Sequence, residues 1–98
     1  MKTLHLVLKG KWYDMIDRGE KKEEYRALTL YWKKRLVEDL GDFYPVLFKD
    51  YKWICFHKGY TSITMTFKVE DIKIGRGNPE WGAPTDIPVF IIKLGERL

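Results

Sequence analysis

Residues 19–26 read Gly-Glu-Lys-Lys-Glu-Glu-Tyr-Arg, and the fold turns on what that stretch is. It lies between two segments of helical periodicity, where a short strand fits the chain order. Yet five of the six residues from Lys21 to Arg26 are charged, and the sixth is Tyr25. A strand with no apolar face is not held by burial on either side. It is then either a solvated edge, whose charges discourage pairing with another chain, or the wall of a polar cleft. Alternation sets Lys21, Glu23 and Tyr25 on one face and Lys22, Glu24 and Arg26 on the other. Each face gains a cation and a carboxylate, but Lys21 is separated from Glu24 and Arg26. All three share a side only if the residues after Gly19 are still turning, or if a bulge re-aims one side chain.

Working outward, Leu4, Leu6 and Leu8 alternate with His5, Val7 and Lys9, the pattern of a strand with one buried face. Trp12, Met15 and Ile16 recur at helical spacing and predict a short helix that Gly19 ends in a left-handed conformation. Beyond the segment, Thr29 caps a second helix in which Trp32, Leu36 and Leu40 fall four residues apart, with Gly41 as its stop. Pro45 prevents continuation, so residues 41–49 read as a loop anchored by Phe43, Tyr44 and Phe48. Tyr51 to Lys58 and Ile63 to Val69, joined through His57-Lys58-Gly59-Tyr60, predict an antiparallel hairpin. Gly75 to Pro88 holds three Gly and three Pro and reads as a long loop; Val89 to Leu94 has the apolar density of a strand buried on both sides. The expectation is a single α+β domain over residues 1–98, a strongly bent sheet or small barrel with two helices in the N-terminal half flanking one side.

Composition narrows the partners. Hydrophobic residues make up 45% of the 98, which excludes a disordered chain and gives a core without disulfides. Eighteen Lys and Arg oppose fourteen Asp and Glu, net +4. Residues 1–40 hold ten of those cations and seven of the acids, so most of the excess lies in the part that contains the charged segment. That balance favours an anionic partner. Lys2, His5 and Lys9 interrupt the first apolar stretch, and no apolar run approaches the ~18 residues of a membrane span. A cytoplasmic protein without a membrane partner is expected. Cys55, the one cysteine, sits in Trp53-Ile54-Cys55-Phe56 and is expected to be a buried, inert thiol. No His, Cys and carboxylate group has metal-ligand spacing, so neither a metal nor a cofactor is expected.

Within the segment, Arg26 offers a planar fork for a phosphate or base edge, and Lys21 a point charge or, if desolvated, a base or nucleophile. Glu24 can orient the arginine or transfer protons. Gly19, Lys21, Glu24 and Arg26 match in all four places the GxKxxExR motif, and on these residues the chain resembles the ASCH family, small domains with a PUA-like β-barrel. The resemblance extends to the Trp-containing first helix, to Tyr31-Trp32 with Arg35, to the hairpin and to the loop Gly77-Asn78-Pro79-Glu80-Trp81-Gly82.

It implies a cleft between barrel and helices that binds RNA or a nucleotide-like ligand through Lys21, Glu24 and Arg26. Tyr31 and Arg35 would extend its wall, Arg76 would supply a phosphate contact and Trp81 a stacking surface. Lys9 is expected to contribute little. The resemblance also implies an alternative, a small hydrolase acting on RNA or on a modified nucleoside, with Lys21 and Glu24 catalytic. Amidohydrolase-like members use a threonine activated by the motif lysine; here that position is Glu24, which lacks a hydroxyl.

Overall fold

A computed structural model of the chain describes residues 2–39 and 46–98. Its elements are β1 (Lys2–Leu8), α1 (Gly10–Asp17), β2 (Glu23–Arg26), α2 (Leu30–Leu36), β3 (Val37–Asp39), β4 (Leu47–Phe48), β5 (Tyr51–Lys58), β6 (Thr64–Gly75) and β7 (Val89–Arg97), with one 3-10 turn at Pro79–Trp81. Five strands form one sheet in the order β1-β5-β6-β7-β2. It curls strongly into a half-barrel, and with the two helices the class is α+β. Pairing of β1 with β5 is parallel and the other pairs are antiparallel. β1 and β2 are therefore the two ends of the sheet, and the half-barrel is open between them. Among the described residues no helix is long and apolar enough to cross a membrane.

Alternation decides which face of each strand is buried. Leu4, Leu6 and Leu8 of β1 meet Ile54 and Phe56 of β5, Met65 and Phe67 of β6, and Phe90 and Ile92 of β7. Tyr13 and Ile16 of α1 and Leu36 of α2 close that core. In β7 the odd residues are covered as well: Val89 and Ile91 join Tyr25 and Ala83 in a second cluster, with Trp81 against it. This strand is buried on both sides along Val89–Ile92, as its apolar density predicts. Two ion pairs, the half-buried Lys58–Asp14 at 2.9 Å and the exposed Arg97–Asp17 at 2.8 Å, link α1 to β5 and β7.

Helix α1 ends as expected. Gly19 adopts φ 80°, its N–H bonds the Ile16 carbonyl at 3.0 Å, and the Glu20 N–H bonds the Met15 carbonyl at 2.9 Å. This is a Schellman stop, for which a residue without Cβ is favoured. Helix α2 begins where Thr29 accepts from the Trp32 N–H at 3.3 Å, but it does not reach Leu40. It stops at Leu36 because its last carbonyls are satisfied from elsewhere: the Arg35 carbonyl by the Tyr51 hydroxyl at 2.7 Å, the Leu36 carbonyl by the Lys49 N–H at 2.8 Å. Val37 is already extended and leads into pairing with β4. The proposed stop at Gly41, the break at Pro45 and the anchors Phe43 and Tyr44 lie outside the described residues. Phe48 is in β4 rather than a loop, edge-on to Phe90. The hairpin is present, with its second strand running on to Gly75 rather than Val69, since pairing with β7 supports it over that length. Cys55 is half-buried and faces away from the core, because its neighbours Ile54 and Phe56 take the inward positions.

A candidate ligand-binding cleft

The helix stop at Gly19 also places Lys21. Its N–H bonds the Met15 carbonyl at 3.1 Å, so the chain is still turning there and β2 begins only at Glu23. Lys21 thereby comes to the side of Glu24, which strict alternation would deny it. It is 2% exposed. Its ammonium donates to the Glu23 carbonyl at 2.6 Å and the Trp81 carbonyl at 2.7 Å, and lies 3.1 Å from Glu24 Oε1. An ammonium has three donors, and three oxygens take them. The ring of Tyr25 lies 4.6 Å away and that of Trp12 5.5 Å. Desolvation pushes the Lys21 pKa below its ordinary value, with Glu24 opposing.

Glu24, 4% exposed, extends the chain of charge. Its second oxygen lies 3.0 Å from the Arg26 guanidinium. The approach is off the hydrogen-bond line, and both Glu24 Oε2 and Arg26 Nε are buried without a hydrogen-bond partner. Such atoms are costly to leave unmade. Arg26 lies over the Trp32 ring at 5.1 Å, which Arg35 shares at 5.4 Å, and Arg35 donates to the Tyr31 hydroxyl at 3.0 Å. Although β2 is a sheet edge, its charges are not a solvated edge: Glu24 and Tyr25, adjacent in sequence, are both buried.

Tyr25 is covered by the loop between β6 and β7. Its hydroxyl donates to Glu23 Oε1 at 2.8 Å and accepts from the Asn78 N–H at 2.9 Å. Burial is the main reason its pKa is pushed up to about 12, with Glu23 adding and the Asn78 N–H opposing, so the phenol stays neutral. The Asn78 side chain then caps the 3-10 turn that presents Trp81. Gly77 allows the loop to lie this close: a Cβ there would stand 2.5 Å from the Tyr25 ring and 2.7 Å from Ala83 Cβ. Gly77→Ala is expected to cost about 1–3 kcal/mol by overpacking and to shift Trp81. Urea unfolding followed by tryptophan fluorescence measures the first, and the native-state emission maximum the second.

A cleft of about 300 Å³ is lined by Val7–Lys9 at the end of β1, by Trp12, by Glu24–Arg26 of β2, and by Trp81 and Gly82. β1 and β2 are the two ends of the sheet, so the cleft occupies the open seam of the half-barrel. Of the residues singled out in the sequence, Glu24, Arg26 and Trp81 line it. Lys21 lies behind them with its donors engaged. Tyr31 and Arg35 connect to Arg26 through Trp32 and do not line the wall. Arg76 is exposed, 3.4 Å from the Thr85 carbonyl, and is not part of the lining. Lys9 does line the cleft, against expectation, because the end of β1 faces β2 across the seam. Trp12, read from the sequence only as part of the helical periodicity, is half-buried on the wall, with its ring against Gly82.

No protein-family model, curated protein or solved structure matches the chain. Two cations, Arg26 and Lys9, and two indoles, Trp12 and Trp81, surround one carboxylate that Lys21 and Arg26 neutralise. That combination suits a small anion carrying a flat ring: cations for the charge, aromatic faces for stacking.

Proposed function

We propose that the chain is an ASCH-like, PUA-like module that binds RNA or a nucleotide-like anion in the seam cleft. The observation that carries this reading is Arg26. Glu24 and Trp32 hold its guanidinium, and its buried Nε has no hydrogen-bond partner. An arginine positioned in this way offers a fork to a phosphate. Trp12 and Trp81 on the same wall supply the surface on which a base stacks. The sequence motif and the net charge of +4 support the same reading.

Catalysis has less support. Lys21, the natural base or nucleophile, has all three ammonium donors engaged, and Glu24 is held between two cations. In the test, purified protein is titrated with fluorescent single-stranded RNA and with nucleoside 5′-phosphates over a range of salt. Arg26→Ala is expected to weaken binding about tenfold, as hydrogen bonds to charged groups are worth about 1.5–3 kcal/mol, and to lower the salt slope by about 1. Lys52→Ala, at the end of β5 away from the seam, should do little. Equal losses in both variants would reduce the site to diffuse charge attraction, and no binding at low salt would remove it. Product formation by the wild type that is abolished by Lys21→Met under conditions where circular dichroism shows the variant still folded would replace binding with hydrolysis.

A further inference from the structure

Parallel pairing of β1 with β5 does something that sequence spacing does not announce. It sets His5 directly opposite Cys55, and Val7 opposite His57. Since Leu4, Leu6, Ile54 and Phe56 point into the core, His5, Cys55 and His57 share the outer face of the sheet. His5 Nδ1 lies 3.1 Å from His57 Nε2, and Cys55 Sγ lies 3.8 Å from the same nitrogen. All three potential ligand atoms fall within 4.8 Å of one another. We propose that His5, Cys55 and His57 form a binding site for a thiolate- and imidazole-seeking metal ion, Zn²⁺ in the first place. This proposal is independent of the seam cleft, whose walls include none of the three.

Two of the three distances are close to those of a ligand set. Tetrahedral Zn²⁺ with bonds of about 2.0–2.1 Å to nitrogen and about 2.3 Å to sulfur has N···N edges of about 3.3 Å and N···S edges of about 3.6 Å. The two separations that involve His57 differ from these by a few tenths of an ångström, and the third, His5 to Cys55, falls within 4.8 Å, so side-chain rotations on the two-strand platform complete the site. The donor set is one sulfur and two imidazoles, which suits Zn²⁺ and related ions and disfavours the oxygen-seeking Mg²⁺ and Ca²⁺. His5 is exposed and the other two are half-buried, so the ion reaches the site from solvent. Among the described residues no further His, Cys or carboxylate joins the group. A fourth position is thus left for water or an incoming ligand, the open arrangement of zinc sites that do more than hold a fold together.

Metal-free full-length protein titrated with Zn²⁺, and in parallel with Co²⁺ as a spectroscopic probe, tests this. Uptake of one equivalent is expected, with a thiolate-to-cobalt charge-transfer band. Cys55→Ser should abolish that band. His5→Ala, an exposed position whose replacement leaves the core untouched, should weaken Zn²⁺ binding by at least about tenfold, the lower end of what even supporting residues of metal sites contribute. Far-UV circular dichroism checks that each variant is folded. The proposal is overturned by an absence of stoichiometric uptake, by affinity unchanged in the His5→Ala/Cys55→Ser double variant, or by full displacement of Zn²⁺ by Mg²⁺ or Ca²⁺. The first of these would leave the three side chains as a hydrogen-bonded cluster only.

Discussion

Lys21→Met is expected to lower the free energy of unfolding by about 3–5 kcal/mol, the usual loss when one partner of a buried ion pair is removed. Methionine keeps most of the apolar stem but no donor. The Glu24 carboxylate, 4% exposed, then loses the cation at 3.1 Å, and the carbonyls of Glu23 and Trp81 lose theirs. The Trp81 carbonyl matters most for the site, because that bond ties the turn before β2 to the loop across 60 positions of sequence. The accompanying double variant, Lys21→Met with Glu24→Gln, removes the stranded charge and should recover part of the loss. Urea denaturation with linear extrapolation measures both. A loss below about 1 kcal/mol in the single variant, the range of exposed pairs, would mean that the ammonium is solvated.

Phe90→Ala should be equally damaging, about 3–5 kcal/mol, for a different reason. Phe90 is fully buried, lies edge-on to Phe48 at 6.3 Å, and occupies the strand that separates the two apolar clusters. Its deletion leaves a cavity that the paired strands on either side, β2 and β6, cannot collapse to fill. The urea midpoint should fall with little change in slope. Phe90 is also the cross-strand partner of Arg26 and lies on the same face of the sheet, so ligand affinity measured where the variant is still folded should fall as well. Affinity unchanged from the wild type would show that Arg26 is held independently of the core residue opposite it.

The same two residues mark how far the sequence could be read. Val89 to Leu94 announces itself as a doubly buried strand by apolar density alone. Lys21 does not announce its burial, since a lysine flanked by five charges within three residues of it reads as solvated. What decides its position is the bonding of its own N–H to Met15, together with a carbonyl supplied from the distant loop. Glu24 and Arg26 were legible because the motif names them. Lys9 and Trp12 were not, because their place on the wall depends on which strands end the sheet. Arg76, chosen for its charge beside two glycines, is directed elsewhere by a loop whose course is set by Gly77, Tyr25 and Asn78.

By itself, the sequence determined the order of β1, α1, β2, α2, β5, β6 and β7, though not β3 and β4, together with the stop at Gly19, the cap at Thr29 and the charged segment that lines the cleft. These depend on periodicity and on bonds within a few residues, which local chemistry dictates. Only the tertiary structure decided that α2 ends at Leu36, that β1 lies parallel to β5, that the half-barrel is open between β1 and β2, and that His5 meets Cys55 and His57. Each of those is a contact between distant positions, selected by which apolar faces can be buried together and which buried polar groups can be satisfied, and no local pattern encodes that choice.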